Sequence, residues 1–532
     1  MIYLKKNLGI KYTVSATAIL TSIILSACGN SENKDSLISD ETKIPTVQEQ
    51  QQTCQALQGK TFDSATVTKS TWIEANESLN SSAMCHILAT RAPYLDIEVI
   101  VPSNWSGRYW QQGGGGFDGT IPSGLKVNNE GKLTAVNSEI TNYGVVYAAS
   151  NGGNRSIAVS ADAPSVFFDG TADAEQSKKD YSYAAIDTTL HFAKGVIREF
   201  FAKDANYRYF NGCSNGGRNA YIAVQRWPNE FDGAVSGCFG MDIASQTMAW
   251  MNMANRVGTE DMPSSKQWEY ISASAMNHCD INDNLADGII SNYNKCGFDV
   301  SALQCGKSSA SSDLSECLTS GQLQTVQSLF GELKSSGKSI YSGFSWANLG
   351  PSAPNFAGLG SGYVALATGD STWMDSAKAA MFDMDRDYNL VADGLNSAGA
   401  NIDKNAIASY IASGRKLIHW HDSADALLSL HEHSKNVSLL HSMAKSMGLQ
   451  NPENNSRYFV VPGTGHGGGK SAGWAEAIIN WVEKDSAPTQ LTYSSTKANG
   501  EVRSIPVCQY PLYPRYIDGD VNAASSFECT QP

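Results

Sequence analysis

The chain runs Tyr207-Arg208-Tyr209-Phe210-Asn211-Gly212-Cys213-Ser214-Asn215-Gly216-Gly217-Arg218 across its middle. Tyr207 to Phe210 has the composition of a short strand, and Gly217 to Trp227 has helical spacing, stopped by Pro228. Gly212-Cys-Ser-Asn-Gly216 sits between them and fits the G-x-S-x-G pattern. In a chain with 47 glycines the pattern alone is weak, and a plain glycine-rich turn would read the same. Its position between strand and helix adds meaning. A sharp strand-to-helix turn flanked by glycines pushes the serine hydroxyl out where it acts as a nucleophile.

On either side the same rhythm continues. Leu95, Ile97, Val99 and Val101 alternate as a strand does, and Arg108 to Gln112 follows as a second. Tyr143 to Ser150 reads as a strand and Tyr181 to Lys203 as an amphipathic helix. Phe231 to Gly237 is a further strand. Strands alternating with helices predict an α/β fold, a mostly parallel sheet covered on both faces. The rhythm breaks over residues 241–405, which are rich in Ser, Gly and Asn and hold four cysteines; they read as an inserted lid. It resumes with a strand at Lys416 to Trp420, a helix at His431 to Met447, a strand at Tyr458 to Val461 and a helix at Ala472 to Glu483. The catalytic layer is therefore expected over 53–240 and 406–532.

A serine hydroxyl needs a base, and the base an orienting acid. After such an elbow the chain order is serine, acid, histidine. His278 falls in the insertion, and His431, His433 and His441 fall on a predicted helix. His466, in Pro462-Gly-Thr-Gly-His466-Gly-Gly-Gly469, follows a strand and precedes the last helix, where the base belongs. Asp422 and Asp425 both follow the preceding strand, with Asp425 deeper in the loop. The amide of Asn215 and one from Gly113-Gly-Gly-Gly116, Gly116 in particular, are the candidates for an oxyanion hole. A phosphate-cradling loop is the rival for those glycines, but the Lys-Ser/Thr that would mark one is missing.

Two other clusters bear on metals. Asp280, Asp283 and Asp287 crowd into Asp280-Ile-Asn-Asp283-Asn-Leu285-Ala-Asp287-Gly-Ile289, a setting for a hard cation or for a solvated acidic turn. It is no EF-hand, since Leu285 and Ser291 stand where that motif needs Gly and Glu. His419, His421, His431, His433 and His441 could suggest zinc, but read better as polar residues near a site. Trp250, Trp268, Trp346 and Trp373 in the insertion read first as core.

The N-terminus has Lys5, Lys6 and Lys11, an apolar run from Val14 to Leu25, and then Leu25-Ser-Ala-Cys28. This is an export signal ending in a lipobox, so residues 1–27 are expected to be removed and Cys28 lipidated. Residues 28–52 read as a polar tether. Overall, 42% of residues are apolar and 17% charged, with 39 basic against 52 acidic and a net charge of -13. That balance argues against disorder and against nucleic-acid binding. No protein partner is expected, and the lipid on Cys28 is the only expected contact with a membrane.

The chain resembles the tannase and feruloyl esterase family, which includes mono(hydroxyethyl) terephthalate hydrolase. The matching residues are Gly113 to Phe117, Phe210 to Arg218, Trp227 to Gly233, Cys279-Asp280 to Cys296, Cys317-Leu-Thr, His421 to Leu428 and Gly465 to Gly469. The resemblance implies an α/β-hydrolase fold with a lid and a Ser214–Asp425–His466 triad. It also implies a structural calcium held by the Asp280, Asp283 and Asp287 side chains and the Leu285 and Ile289 carbonyls, and a small aromatic ester as substrate. Esterase action on aliphatic oligoesters, a non-catalytic surface-binding role, and a metallohydrolase built on the histidine cluster are the alternatives. The family usually places a Cys after the catalytic His, bonded to the Cys before the nucleophile; here Gly467 stands there.

Ten cysteines follow Cys28, and an even count suggests disulfides. Neighbours in sequence suggest 54–85, 279–296, 305–317 and 508–529. Cys213 and Cys238 remain, each at the end of a predicted strand of the parallel sheet, and are expected to pair, with two buried thiols as the alternative.

Overall fold

Successive residues of a strand face opposite sides of its sheet, and here both sides are apolar. Phe210, Ala234, Leu417 and Tyr458 enter one hydrophobic cluster. Their neighbours Tyr209, Val235, Ile418 and Phe459 enter the other. A sheet buried on both faces is the parallel, helix-covered kind. The computed structural model describes residues 44–155, 171–347 and 357–532.

The main sheet has ten strands. In chain order they are β1 (Thr61–Phe62), β2 (Ala65–Ile73), β3 (Met84–Arg91), β4 (Leu95–Pro102), β5 (Arg108–Gln112), β6 (Val146–Ser150), β7 (Tyr207–Cys213), β8 (Gly233–Gly237), β9 (Lys416–Asp422) and β10 (Ser456–Val461). Their spatial order is β1-β2-β3-β4-β6-β5-β7-β8-β9-β10. Pairing is antiparallel from β1 through β4 to β6, and parallel from β6 onward. This is the expected α/β-hydrolase architecture, with β7 and its elbow in the parallel half.

Helices Ala185–Phe201, Asn215–Arg226, Leu430–Ser446 and Trp474–Lys484 supply the covering layers. Between β8 and β9 the chain makes further helices, including Ile243–Ala254, Ser265–Cys279, Ser320–Phe330, Ala357–Thr368 and Met384–Ser397. Part of this insertion has its own small core around Trp268, Ile271, Leu318 and Val326. The α/β layering resumes with the helix Lys404–Ala412, two residues before the expected boundary.

Three local expectations are corrected. The end of the expected tether folds as the helix Val47–Gln55, because Thr46 and Glu49 form a capping box and Gln50, 1% exposed, donates to the Pro45 and Ser103 carbonyls. That helix is polar in sequence and shows no apolar stripe. The expected strand from Tyr143 begins only at Val146, because Asn137 caps a short helix Ser138–Tyr143 that Gly144 ends in the left-handed conformation, φ 58°. The helix expected from Tyr181 is preceded by Ala172–Lys179 and joined to it by a π-helical turn at Asp180–Ala184. Cys28 and the export signal lie outside the described residues.

Five disulfides form: the four local pairs and Cys213–Cys238, with a Cα–Cα distance of 5.3 Å. Cys213 lies opposite Gly237 in the β7–β8 register, so the next residue, Cys238, is within bridging reach.

Candidate active site

At the end of β7 the chain turns through Ser214, φ 63° and ψ −128°, straight into the helix Asn215–Arg226. A non-glycine residue held at positive φ is strained and needs its surroundings to keep it there. Backbone packing does so. A β-carbon at Gly212 would lie 2.4 Å from the Gly216 backbone, and one at Gly216 would lie 2.7 Å from the Gly114 carbonyl oxygen. Only glycine lets the elbow close on itself and lets the Gly113–Gly116 loop rest against it. The Ser214 amide donates to the Gly237 carbonyl at 3.0 Å, which ties the turn to β8.

His466 reaches this turn from the loop after β10. One of its ring nitrogens and the sulfurs of Cys213 and Cys238 all lie within 4.8 Å of one another. Its Nδ1 is 2.7 Å from Asp425 Oδ2. The two candidate acids thus separate by role. Asp425 takes the imidazole, and its Oδ1 accepts the amides of Leu427 and Leu428 at 2.8 and 3.0 Å. Asp422 holds the backbone of the histidine loop, accepting from Thr464 Oγ1 at 2.5 Å and from the amides of Gly467 and Gly469 at 2.7 and 2.8 Å. Burial works to raise the Asp425 pKa, but His466 and His421 outweigh it and hold the pKa below its ordinary value. Burial likewise disfavours a charged His466, yet Asp425 outweighs it and raises the His466 pKa.

Gly467, where the resemblance would place a second cysteine, has φ 77°, and a β-carbon there would lie 3.5 Å from the Cys213 sulfur. The position still adjoins Cys213. Cys213 is bonded to Cys238 instead, so the elbow is braced to β8 and not to the histidine loop.

The loop bearing Gly116 is anchored through the side chain of Asn215 and by Asp118, Tyr181 and Tyr363, to which sequence reading gave no role in the site. Asn215 Nδ2 donates to Asp118 Oδ1 at 2.6 Å, and Asn215 Oδ1 accepts from Arg218 Nε at 2.8 Å and from the Tyr181 hydroxyl at 3.2 Å. That hydroxyl is also 3.1 Å from the Gly116 carbonyl and 2.7 Å from the Tyr363 hydroxyl of the insertion. Arg218 is fully buried and donates to the Tyr181 and Ser182 carbonyls. Burial pushes the Asp118 carboxyl up to about 7, while Asn215 and Arg218 oppose the rise. The Gly-Gly-Arg and Phe-Asp-Gly tripeptides were the available signal, but neither reveals that the two meet across 97 residues of chain.

Trp250 stacks on Tyr363, with ring centroids 5.7 Å apart, so it backs this network. Trp268 and Trp346 pack in the small core of the insertion and Trp373 in the large cluster shared with the main sheet, as expected of core residues. In the aspartate loop, Asp280 accepts the amides of Gly288 and Ile289 at 2.9 and 3.1 Å. Asp287 accepts the Ile289 amide at 3.0 Å and pairs with Arg503. Asp283 is 2% exposed, and burial, with Asp287 adding to it, pushes its pKa up to about 6. The donor chemistry suits calcium, but the carboxylates here brace loop amides and do not converge on one point. Nor do the five clustered histidines converge. Among the described residues, the one group with three metal-binding atoms in mutual reach is Cys213, Cys238 and His466, whose sulfurs are bonded to each other.

The sequence profile described as tannase and feruloyl esterase matches residues 80–405 and 375–530. The chain belongs to the tannase and feruloyl esterase family. Family membership makes it a carboxylic ester hydrolase. It is 29% identical over 463 residues to a probable feruloyl esterase of Arthroderma benhamiae, covering 81% of each chain. It is 26% identical over 510 residues to the mono(2-hydroxyethyl) terephthalate hydrolase of Piscinibacter sakaiensis, covering 83% of this chain and 82% of that one. The crystal structure of feruloyl esterase B from Aspergillus oryzae superposes with a TM-score of 0.74 at 21% identity, covering 90% of this chain and all of that one; it shares the fold.

Proposed function

We propose that this family member hydrolyses aromatic carboxylic esters through an acyl-enzyme on Ser214. The observation that carries the reading is the 2.7 Å contact of His466 Nδ1 with Asp425 beside a serine held at φ 63°. With Nδ1 occupied, His466 Nε2 is the nitrogen left to take the Ser214 proton as Oγ attacks the ester carbonyl. The tetrahedral oxyanion is met by the amides of Asn215, at a helix N-terminus, and Gly116. Collapse expels the alcohol, which receives the proton from His466. Water activated by His466 then attacks the acyl-enzyme and releases the acid. Aromatic specificity is supported by the feruloyl and terephthalate esters in the relatives' names. A serine-reactive phosphonate should label Ser214, and a panel of chromogenic aryl and alkyl esters should show preference for aryl acyl groups. Turnover without labelling at Ser214 would refute the mechanism, and equal rates on alkyl esters would refute the specificity.

The mechanism needs a neutral His466, whose pKa is raised above the ordinary 6.5. Activity should therefore fall as pH drops through a midpoint above that value, because protonation removes the base. A profile of kcat/KM against pH checks this, and an acid limb centred well below pH 6.5 contradicts it.

The aspartate loop is proposed to hold a structural calcium ion, for which the Asp280, Asp283 and Asp287 side chains and the carbonyls of Leu285 and Ile289 are the candidate ligands. A cation would relieve the buried Asp283 carboxyl of its like-charged neighbour. Excess chelator should lower the melting temperature by mass action, and Asp283→Ala should remove that sensitivity. Identical melting curves with and without chelator, and no calcium by elemental analysis, retire the site.

Export with lipidation at Cys28 is the proposed location. Five disulfides fit an oxidising compartment, and among the described residues no helix is long and apolar enough to cross a membrane. Cys28→Ser should move the protein from the membrane fraction to the soluble exported one. If it stays with membranes, the anchor is something else.

A further inference from the structure

Behind Asp425 lies a line of buried polar side chains that the proposed chemistry does not use. His421 Nε2 is 3.3 Å from Asp425 Oδ2 and 3.1 Å from the Leu428 carbonyl. His421 Nδ1 is 2.9 Å from His433 Nδ1. His433 Nε2 is 2.9 Å from the Tyr221 hydroxyl, which is 2.6 Å from His419 Nδ1. His419 Nε2 is 2.9 Å from Ser456 Oγ, which is 2.9 Å from His441 Nε2. His419, His421, His433, Tyr221 and Ser456 are fully buried, and His441 is half-buried on the helix Leu430–Ser446.

Five elements contribute to this line: β9, the loop after it, the helix Leu430–Ser446, β10 and the nucleophile helix. Asp425, with His466 and Asp422 beside it, ends the line on the site side. His431 adjoins His421, and Lys445 and Glu453 flank His441. Burial pushes the pKa of His419 and His433 well below the ordinary value, and lowers that of His441 as well.

Counting donors fixes one proton outright and ties the others to it. Asp425 and the Leu428 carbonyl only accept, so His421 Nε2 must carry a hydrogen. With a single ring hydrogen, His421 accepts at Nδ1, so His433 donates from its own Nδ1 and accepts at Nε2. Tyr221 therefore donates to His433 and accepts from His419 Nδ1. Ser456 donates to His419 Nε2 and accepts from His441 Nε2. All the donors point the same way, from the half-buried end toward Asp425.

We infer that His421 is a positioning residue for Asp425, and that the His441–Ser456–His419–Tyr221–His433 chain locks it in the tautomer that donates to the carboxylate. This rests on the reading of Asp425 as the acid of the triad. Asp425 Oδ2 then has two donors, His466 from the reacting side and His421 from behind, and its Oδ1 has two backbone amides. The carboxylate cannot rotate without losing partners, so the His466 ring keeps its orientation.

The direct test is ring-proton and ring-nitrogen NMR on histidine-labelled protein, where nine histidines make the spectrum tractable. Run on Ser214→Ala, it reads the tautomers whether or not Ser214 is the nucleophile. Hydrogens are expected on Nδ1 of His419 and His433 and on Nε2 of His421 and His441. A doubly protonated His421 would reverse every donor beyond its own bond to Asp425 and overturn the inference, as would a hydrogen on Nδ1 alone. Tyr221→Phe should shift the His419 and His433 ring signals; unchanged signals refute the chain.

Kinetics give the second arm. His421→Leu should lower kcat about ten- to a hundredfold with KM little changed, the size of loss seen when an outer partner is removed. His421→Gln keeps an N–H toward Asp425 and should restore most of it. Equal losses in both variants would mean that His421 only fills space. If instead Asp425→Asn is fully active, or phosphonate does not label Ser214, the triad reading has failed and not the chain.

Discussion

Ser214→Ala is expected to lower kcat by about four to six orders of magnitude while leaving the fold intact, and His466→Ala to do nearly the same. Ser214 is a small side chain at the head of a helix, and its replacement opens no cavity. The backbone strain at φ 63° is maintained by the packed glycines and by the Gly237 carbonyl, none of which involve the hydroxyl. On the proposed mechanism, what is lost is the bond-forming atom itself. His466→Ala keeps that atom but leaves it protonated, since the other histidine on Asp425, His421, lies behind the carboxylate and donates to it. The double variant should be little worse than either single one, because the residues act as a unit. Single-turnover kinetics on an activated aryl ester, alongside thermal melts, would measure both halves of this expectation. A His466→Ala enzyme with activity within tenfold of the parent would show that the base has been misassigned.

Arg218→Ala is expected to cost about 3–5 kcal/mol of stability, the largest effect foreseen for a residue that does not itself react. Its guanidinium is fully buried and donates to Asn215 Oδ1 and to the carbonyls of Tyr181 and Ser182. It also lies over the Tyr181 ring, 4.8 Å from the centroid. Removing it leaves those acceptors buried without that donor and takes away the positive charge nearest Asp118. The Asp118 carboxyl, already up at about 7 through burial, would rise further, and as it protonates its acceptance from Asn215 would weaken from a charge-assisted to a neutral hydrogen bond. Activity should fall as well, because Asn215 and Gly116 are both held through this cluster. Denaturant midpoints at equal slope would read the loss directly. A change under 1 kcal/mol would mean that water replaces the guanidinium, and that the cluster is softer than its burial suggests.

Much of this molecule was readable from the order of its residues, and the reason is that those features are local. The Gly212-Cys-Ser-Asn-Gly216 turn declared itself because glycine spacing and a flanking strand and helix are short-range properties. The α/β layering was visible as a repeating change of hydrophobic period. Four disulfides joined neighbours in sequence, and the fifth followed from adjacent strand ends. His466 was marked by its loop between the strand at Tyr458 to Val461 and the helix at Ala472 to Glu483. The family resemblance favoured Asp425 over Asp422, two carboxylates three residues apart on one loop.

Which carboxylate meets the imidazole depends on how that loop closes against the next one, and it was the packed structure that gave Asp425 the ring and Asp422 the backbone of the histidine loop. The same holds for Arg218, Tyr181 and Tyr363, which hold the Gly116 loop from segments up to 182 residues apart. It holds for the histidines on β9 and the following helix too, which looked like scattered polar residues until the fold stacked them behind Asp425. Hydrogen bonds of this kind become strong where water is excluded, and no pattern of neighbours along a chain states which groups will share the same dry interior.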